Sequence, residues 1–165
     1  LDVVSGVVEA GAEDRIAIYT GNDDHIVLDL VASVSVMRGG EEVRVRMRGG
    51  LLGHWSFWTR RAVELLDRIH SAIAAEDIDD DLLALNSKVT DCNRAVFDVA
   101  NGFLGCIPGC HEVLRRQGLL KGIWCLDPDE TLSPGQAREI DRVHAAYPGL
   151  NDDAFVAENL ERWLA

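Results

Sequence analysis

The stretch Ile16-Ala17-Ile18-Tyr19-Thr20-Gly21-Asn22-Asp23-Asp24-His25 decides how the rest of the chain is read. A short run of apolar, β-favouring side chains halts at a glycine and gives way to an amide, two carboxylates and an imidazole. Before it, residues 1–14 carry Val3, Val4, Val7 and Val8 on one helical face, with Gly11 near the end, and predict a short helix. A helix leading into a wholly apolar strand over Arg15–Thr20 is the rhythm of a parallel α/β fold. In such folds the active site lies beyond the C-terminal ends of the strands, where the Gly-Asn-Asp-Asp cluster sits. Gly21 would let backbone groups approach a ligand closely.

Working outward, Ile26–Val31 reads as one or two helical turns. Residues 33–48 switch to period two and predict a β-hairpin that turns at Arg38-Gly39-Gly40-Glu41. Val43, Val45 and Met47 fall on one face of it. Arg44, Arg46 and Arg48 fall on the other, a face that could hold an anion but reads better as solvated. Gly49-Gly50-Leu51-Leu52-Gly53-His54-Trp55-Ser56 reads as a second buried strand with its exit loop. From Thr59 the spacing turns helical, with Ala62, Leu65, Leu66, Ile69 and Ile73 in one stripe. Asp79-Asp80-Asp81 supply negative charge at the start of a second long helix. Pro108 opens a third helix that ends at Gly118. Ser133-Pro134-Gly135-Gln136 fits a capping box before a fourth, which stops ahead of Pro148, and Asn151 caps the last.

Composition bounds the function. The chain has 165 residues, 47% of them hydrophobic, enough for one core. A net charge of −12 argues against nucleic acid as the main partner, because phosphate binding needs a basic footprint. No apolar run reaches the length of a membrane span. Cys92, Cys106, Cys110 and Cys125 are scattered, which fits free thiols in a reducing cytoplasm better than a disulfide framework.

The candidate chemistry is sparse. Asp23, Asp24 and His25 have metal-ligand atoms, but adjacent residues converge poorly on one ion, so no metal is expected there. The aspartates serve equally as acid/base groups or as caps of the next helix. Gly53, His54 and Trp55 hold the equivalent place after the second strand, where they line a pocket or simply pack. Cys106-x-x-x-Cys110 followed by His111 supplies one ligand-like spacing where a structural zinc normally has two, so packed thiols at a helix start are expected. No glycine-rich phosphate loop, nucleophile elbow or His-Glu-x-x-His motif is present, and no cofactor is expected.

Tyr19-Thr20-Gly21-Asn22-Asp23-Asp24 resembles the segment after the seventh strand in the dihydrodipicolinate synthase and N-acetylneuraminate lyase superfamily. Gly49-Gly50-Leu51-Leu52-Gly53 is similar to its eighth strand. Residues 108–119 and the run through Trp124, Leu126, Pro128, Leu132 and Ser133 are similar to its C-terminal helical region. The resemblance implies a class I aldolase on a (β/α)8 TIM barrel, which binds pyruvate or another 2-oxo acid as a Schiff base on a lysine of the sixth strand. By that alignment the sixth strand lies before Leu1, so the nucleophile is outside this chain and no catalytic residue is assigned within it. A hairpin where the family has a helix, and the aromatic exit His54-Trp55-Ser56-Phe57-Trp58, mark an outlying branch.

The expected fold is therefore α/β: the C-terminal part of a TIM barrel followed by a C-terminal helical region. Residues 1–58 hold the last barrel strands with the hairpin inserted at about 33–48, and residues 59–165 hold the barrel helix and the helical region. Gly21, Asn22 and Asp23 are expected to line the substrate pocket, with Gly53, His54 and Trp55 on its other side. The partners expected are a small 2-oxo acid, the remainder of the barrel and further copies in a homo-oligomer, with neither nucleic acid nor membrane. A non-catalytic interaction module, or a barrel homologue without imine chemistry, is the alternative.

Overall fold

The computed structural model describes residues 1–51 and 53–165, and the side chain of His54 lies outside the described residues. The chain is a mixed α/β fold, mostly helical, with two small two-stranded sheets among the described residues. Two compact units share it: Leu1–Leu52 with Leu66–Asn86, and Gly53–Leu65 with Ser87–Ala165. No helix among the described residues is long and apolar enough to cross a membrane.

In the first unit, helix α1 (Asp2–Glu9) buries Val4 and Val8, one turn apart, and leaves Val3 exposed. Strands β2 (Ser33–Arg38) and β3 (Glu41–Arg46) form the antiparallel hairpin read from the period-two pattern, with Val34 opposite Val45 and Val36 opposite Val43. Val4, Val8, Ile18 and Val45 make one buried cluster, with Val7, Val34, Val36, Val43 and Met47 packed against it. Each such aliphatic side chain, fully buried, stabilises by about 1.5–3 kcal/mol, which makes this cluster the anchor of the hairpin. Gly39 and Gly40 close it with φ of 61° and 90°, as a two-residue type I′ turn requires. The arginine face is only partly solvated. Arg44 pairs with Glu42 at the surface, whereas Arg46 Nη1 donates to the carbonyl of Val31.

The parallel element is smaller than the sequence suggests. Strand β1 (Tyr19–Thr20) pairs in parallel with β4 (Gly49–Gly50), Tyr19 opposite Gly49 and Thr20 opposite Gly50. Instead of a fully buried run over Arg15–Thr20, only Ile18 and Thr20 are covered: Arg15 and Ala17 are exposed, Ile16 and Tyr19 are 48% and 53% exposed, and the strand itself is confined to Tyr19–Thr20. Among the described residues β1 pairs with β4 alone and α2 (Ile26–Val31) is the helix packed on that pair, so a strand of apolar residues suited to burial on both faces is covered on one. Helix α2 buries Ile26, Val27, Leu30 and Val31. A Cβ on Gly50 would fall 2.6 Å from Ile26 Cδ1, so the Ile26 side chain of α2 rests directly on this glycine.

Helices α3 (Thr59–Ala75) and α4 (Asp80–Val96) each contribute residues to both units. Within the first, Ile69 and Leu82 are buried, and Asp79 Oδ1 accepts the Leu82 N–H at 2.5 Å, capping the start of α4. In the second, Phe57 meets the rings of Trp58 and Phe97 edge-on, and Val89, Val96, Val113, Ile140, Val143 and Val156 are buried. Helix α5 (Cys106–Arg116) lies so close to the end of α4 that a Cβ on Gly109 would collide with the carbonyl oxygen of Val96. Helices α6 (Gln136–Ala146) and α7 (Asp153–Leu164) complete the unit. The buried Asp152 carboxylate accepts from the Arg60 backbone N–H at 3.1 Å and from Gln117 Nε2 at 2.9 Å.

Candidate functional site

The residues expected to line a substrate pocket fall into two groups. Gly21, Asn22 and Asp23 belong to the first unit, and Gly53 and Trp55 to the second. Gly53 and Trp55 lie in a 3-10 turn, Gly53–Ser56, with Gly53 buried at φ 79° and the Ser56 hydroxyl donating to its carbonyl at 3.0 Å. The third residue of that turn expected to face the pocket is His54, whose side chain lies outside the described residues.

The first group is built from Thr20. Buried at the end of β1, its hydroxyl donates to Asp29 Oδ2 at 2.6 Å and accepts the Asn22 N–H at 3.1 Å. One side chain thus ties the strand to α2 and sets the turn that follows. Asn22 is extended, with φ −97° and ψ 90°, and leads into a 3-10 turn over Asp23–His25. From α4, Asn86 spans that turn: its amide Nδ2 donates to the Asp24 carbonyl at 3.3 Å and its Oδ1 accepts the Leu28 N–H at 3.4 Å. Gly21 and Asn22 stay exposed and Asp23 half-exposed beyond the strand end. The result is a braced polar turn at the C-terminal end of a parallel strand, with exposed backbone and amide groups that suit a small polar ligand.

Thr20, Asp29 and Asn86 were not singled out by sequence. Thr20 sat inside the quoted stretch but read as a strand residue. Asp29 and Asn86 are helical residues, and only the fold brings them 9 and 66 positions round to it. Among the described residues no three His, Cys, Asp or Glu side chains gather as a metal ion would need.

A second polar centre, also unforeseen, lies wholly within the second unit. Asp98 is 3% exposed and holds a left-handed backbone, φ 58°. Its Oδ2 accepts from the Ser133 hydroxyl at 2.5 Å and from the Gly105 N–H at 3.0 Å, and its Oδ1 from Asn101 Nδ2 at 2.7 Å. Burial pushes the Asp98 carboxyl up, but the bonds from Ser133, Asn101 and Gly105 outweigh it and hold the group below the ordinary aspartate range. Beside it, buried Gln136 donates from Nε2 to the carbonyls of Val96 and Gly105 and accepts the Ser133 N–H at 3.0 Å. Only this last bond matches the expected capping box, because the Ser133 hydroxyl is taken by Asp98 and α6 begins at Gln136. Every oxygen of the pair Asp98 and Gln136 is engaged, so this centre holds structure together rather than offering a reactive group.

The cysteines follow the same pattern. All four are free. Burial pushes the Cys92 thiol to about 12, helped by the neighbouring Asp91 charge. Burial, then the neighbouring Cys106, pushes Cys110 to about 12 as well. Cys125 Sγ lies 3.9 Å from His111 Nδ1, and burial followed by the charges of Glu130 and Asp127 raises it too. Cys92, Cys110 and Cys125 are therefore not poised as thiolate nucleophiles. Compared with known proteins, the chain matches no family model, no curated protein and no solved structure.

Proposed function

We propose that this chain is the C-terminal part of a (β/α)8 lyase, of the dihydrodipicolinate synthase kind, that acts on pyruvate or a related 2-oxo acid. The single observation that carries the reading is the parallel pairing of β1 with β4 across an intervening helix and hairpin, with a braced Gly-Asn-Asp turn at the C-terminal end of β1. Neighbouring parallel strands joined by a crossover are the repeating unit of such a barrel, and the turn after the strand is where its chemistry resides. Ile16, Tyr19 and Leu51 are exposed apolar side chains beside these strands, as expected where further strands complete a sheet.

In this reading Gly21, Asn22 and Asp23 fix the substrate through backbone and amide groups. A lysine amine from sequence outside these residues condenses with the ketone, forming the C=N bond and releasing water. Lys88 is in α4 and Lys121 in a loop, so neither stands on a strand. No cofactor enters the reaction. The protein works in the cytoplasm as a homo-oligomer, a setting with which four free thiols agree.

The test is borohydride reduction of the longer protein in the presence of pyruvate. A reduced pyruvyl adduct on a lysine upstream of Leu1 is the expected product. No adduct with any 2-oxo acid would sink the reading. The placement of both lysines off the strands favours one alternative, a non-catalytic interaction module. An upstream strand ending in Gly-x-Lys decides for the enzyme, and an unrelated upstream domain decides for the module.

A further inference from the structure

The second unit contains a cavity of about 610 Å³ that neither strand-end turn uses. It lies between α4, the 3-10 turn Val99–Asn101 and the N-terminal end of α6, and its volume is that of a site for a small molecule. Three arginines line it, Arg94, Arg138 and Arg142, in a chain whose 16 basic residues are outnumbered by 28 acidic ones.

The three acids of the same wall are already committed. Asp91 receives both arms of Arg142, at 2.8 and 2.9 Å, together with the Tyr147 hydroxyl at 2.8 Å. Glu139 pairs with Arg142 Nε at 2.9 Å. Asp98 is saturated by Ser133, Asn101 and Gly105. Among the described residues, the side chains of Arg94 and Arg138 make neither a hydrogen bond nor an ion pair, and Arg94 acts on Asp91 only through longer-range attraction. Arg138 Nη2 lies 3.7 Å from the point where a Cβ on Gly135 would stand, so its guanidinium folds back over the start of α6. Gly135 holds φ 92°, a conformation that keeps this corner free of a side chain.

We propose that this cavity binds a small organic anion through its carboxylate or phosphate group, which bridges Arg94 on α4 and Arg138 on α6. A guanidinium presents a planar fork of donors that matches either group. The positive end of α6 adds to the attraction. Arg142 is held rigid by Asp91 and Glu139 and forms the floor. The site stands independently of the aldolase reading, since none of its residues comes from the strand-end turns.

The experiment is calorimetric titration of the full native chain with citrate and, separately, with inorganic phosphate, glycerol serving as the uncharged control. Saturable binding of at least one anion is expected, and the tighter of the two names the group recognised. The double variant Arg94→Ala/Arg138→Ala should weaken that binding by about tenfold or more, because each lost charge-assisted contact carries roughly that factor. Raising the ionic strength should weaken wild-type binding as well. Both arginines are exposed and unpaired, so melting should be unchanged; should the alanines disturb it, Arg94→Gln/Arg138→Gln gives the same comparison with more of the side chain kept. No saturation by either anion at about 10 mM, or equal affinity in the double variant, overturns the proposal.

Discussion

The Ser133 hydroxyl donates to Asp98 Oδ2 at 2.5 Å across 35 residues of sequence, joining the segment after α4 to the segment before α6. Because the carboxylate also accepts from Asn101 and the Gly105 N–H, its charged form is favoured in the folded state. Ser133→Ala should therefore cost about 2 kcal/mol, the range for a hydrogen bond to a buried charge, read as a shift in urea midpoint. An unchanged midpoint would show the bond to be energetically idle.

The same carboxyl sets a pH dependence. Its folded value lies below the ordinary one, so its contribution is fully present above the ordinary aspartate range and is lost as pH falls through the folded value. Asp98→Asn should be less stable than wild type at neutral pH, and the gap should narrow on acidification below about pH 4. Parallel stability curves for the two proteins between neutral and acid pH would contradict this.

Gly109→Ala should destabilise by about 3 kcal/mol, since its methyl group meets the backbone carbonyl of Val96 rather than a yielding side chain. Ala is otherwise the better helix former by about 1 kcal/mol, so a stabilised variant would mean that α5 and α4 separate easily.

Thr20→Val keeps the shape of the side chain and removes both of its hydrogen bonds. A loss of about 1.5 kcal/mol in thermal or urea unfolding is expected, because the Asp29 carboxylate and the Asn22 N–H each lose a partner. In the longer protein, trapping of pyruvate should fall with it, as the Gly21–Asp23 turn loses its brace. Wild-type stability together with full trapping would remove Thr20 from the site.

Cys92 and Cys110, both raised to about 12 by burial, should resist a disulfide reagent at neutral pH until the protein unfolds. Peptide mapping after a short exposure checks this. Rapid labelling of either residue in the native protein would show that its burial opens readily.

Elements governed by local periodicity were legible. The hairpin, α1, α3 and the start of α4 at Asp79 follow from repeats of two or 3.6 and from capping chemistry, which act within a few residues. The extent of β1 was not, because burial of Ile16 and Tyr19 depends on what lies beside the strand and not on their own preference. Thr20, Asp29 and Asn86 were invisible as a set for the same reason, each being an ordinary residue of its own element until the fold assembles them. Asp98 carried a faint signal, an acid placed just before a Val-Ala-Asn-Gly segment, but its partner Ser133 looked fully explained as a cap.

The hairpin has one more consequence. Val43 and Val45 hold it against α1 and Arg38 ties it to the Val8 carbonyl and Glu13, while its tip, Gly39-Gly40, is exposed, with no atom within 4 Å of where a Cβ would stand. That tip is a ready socket for grafted sequence. A peptide epitope or reporter spliced between Gly39 and Gly40 should be displayed without altering the register of the parallel pair.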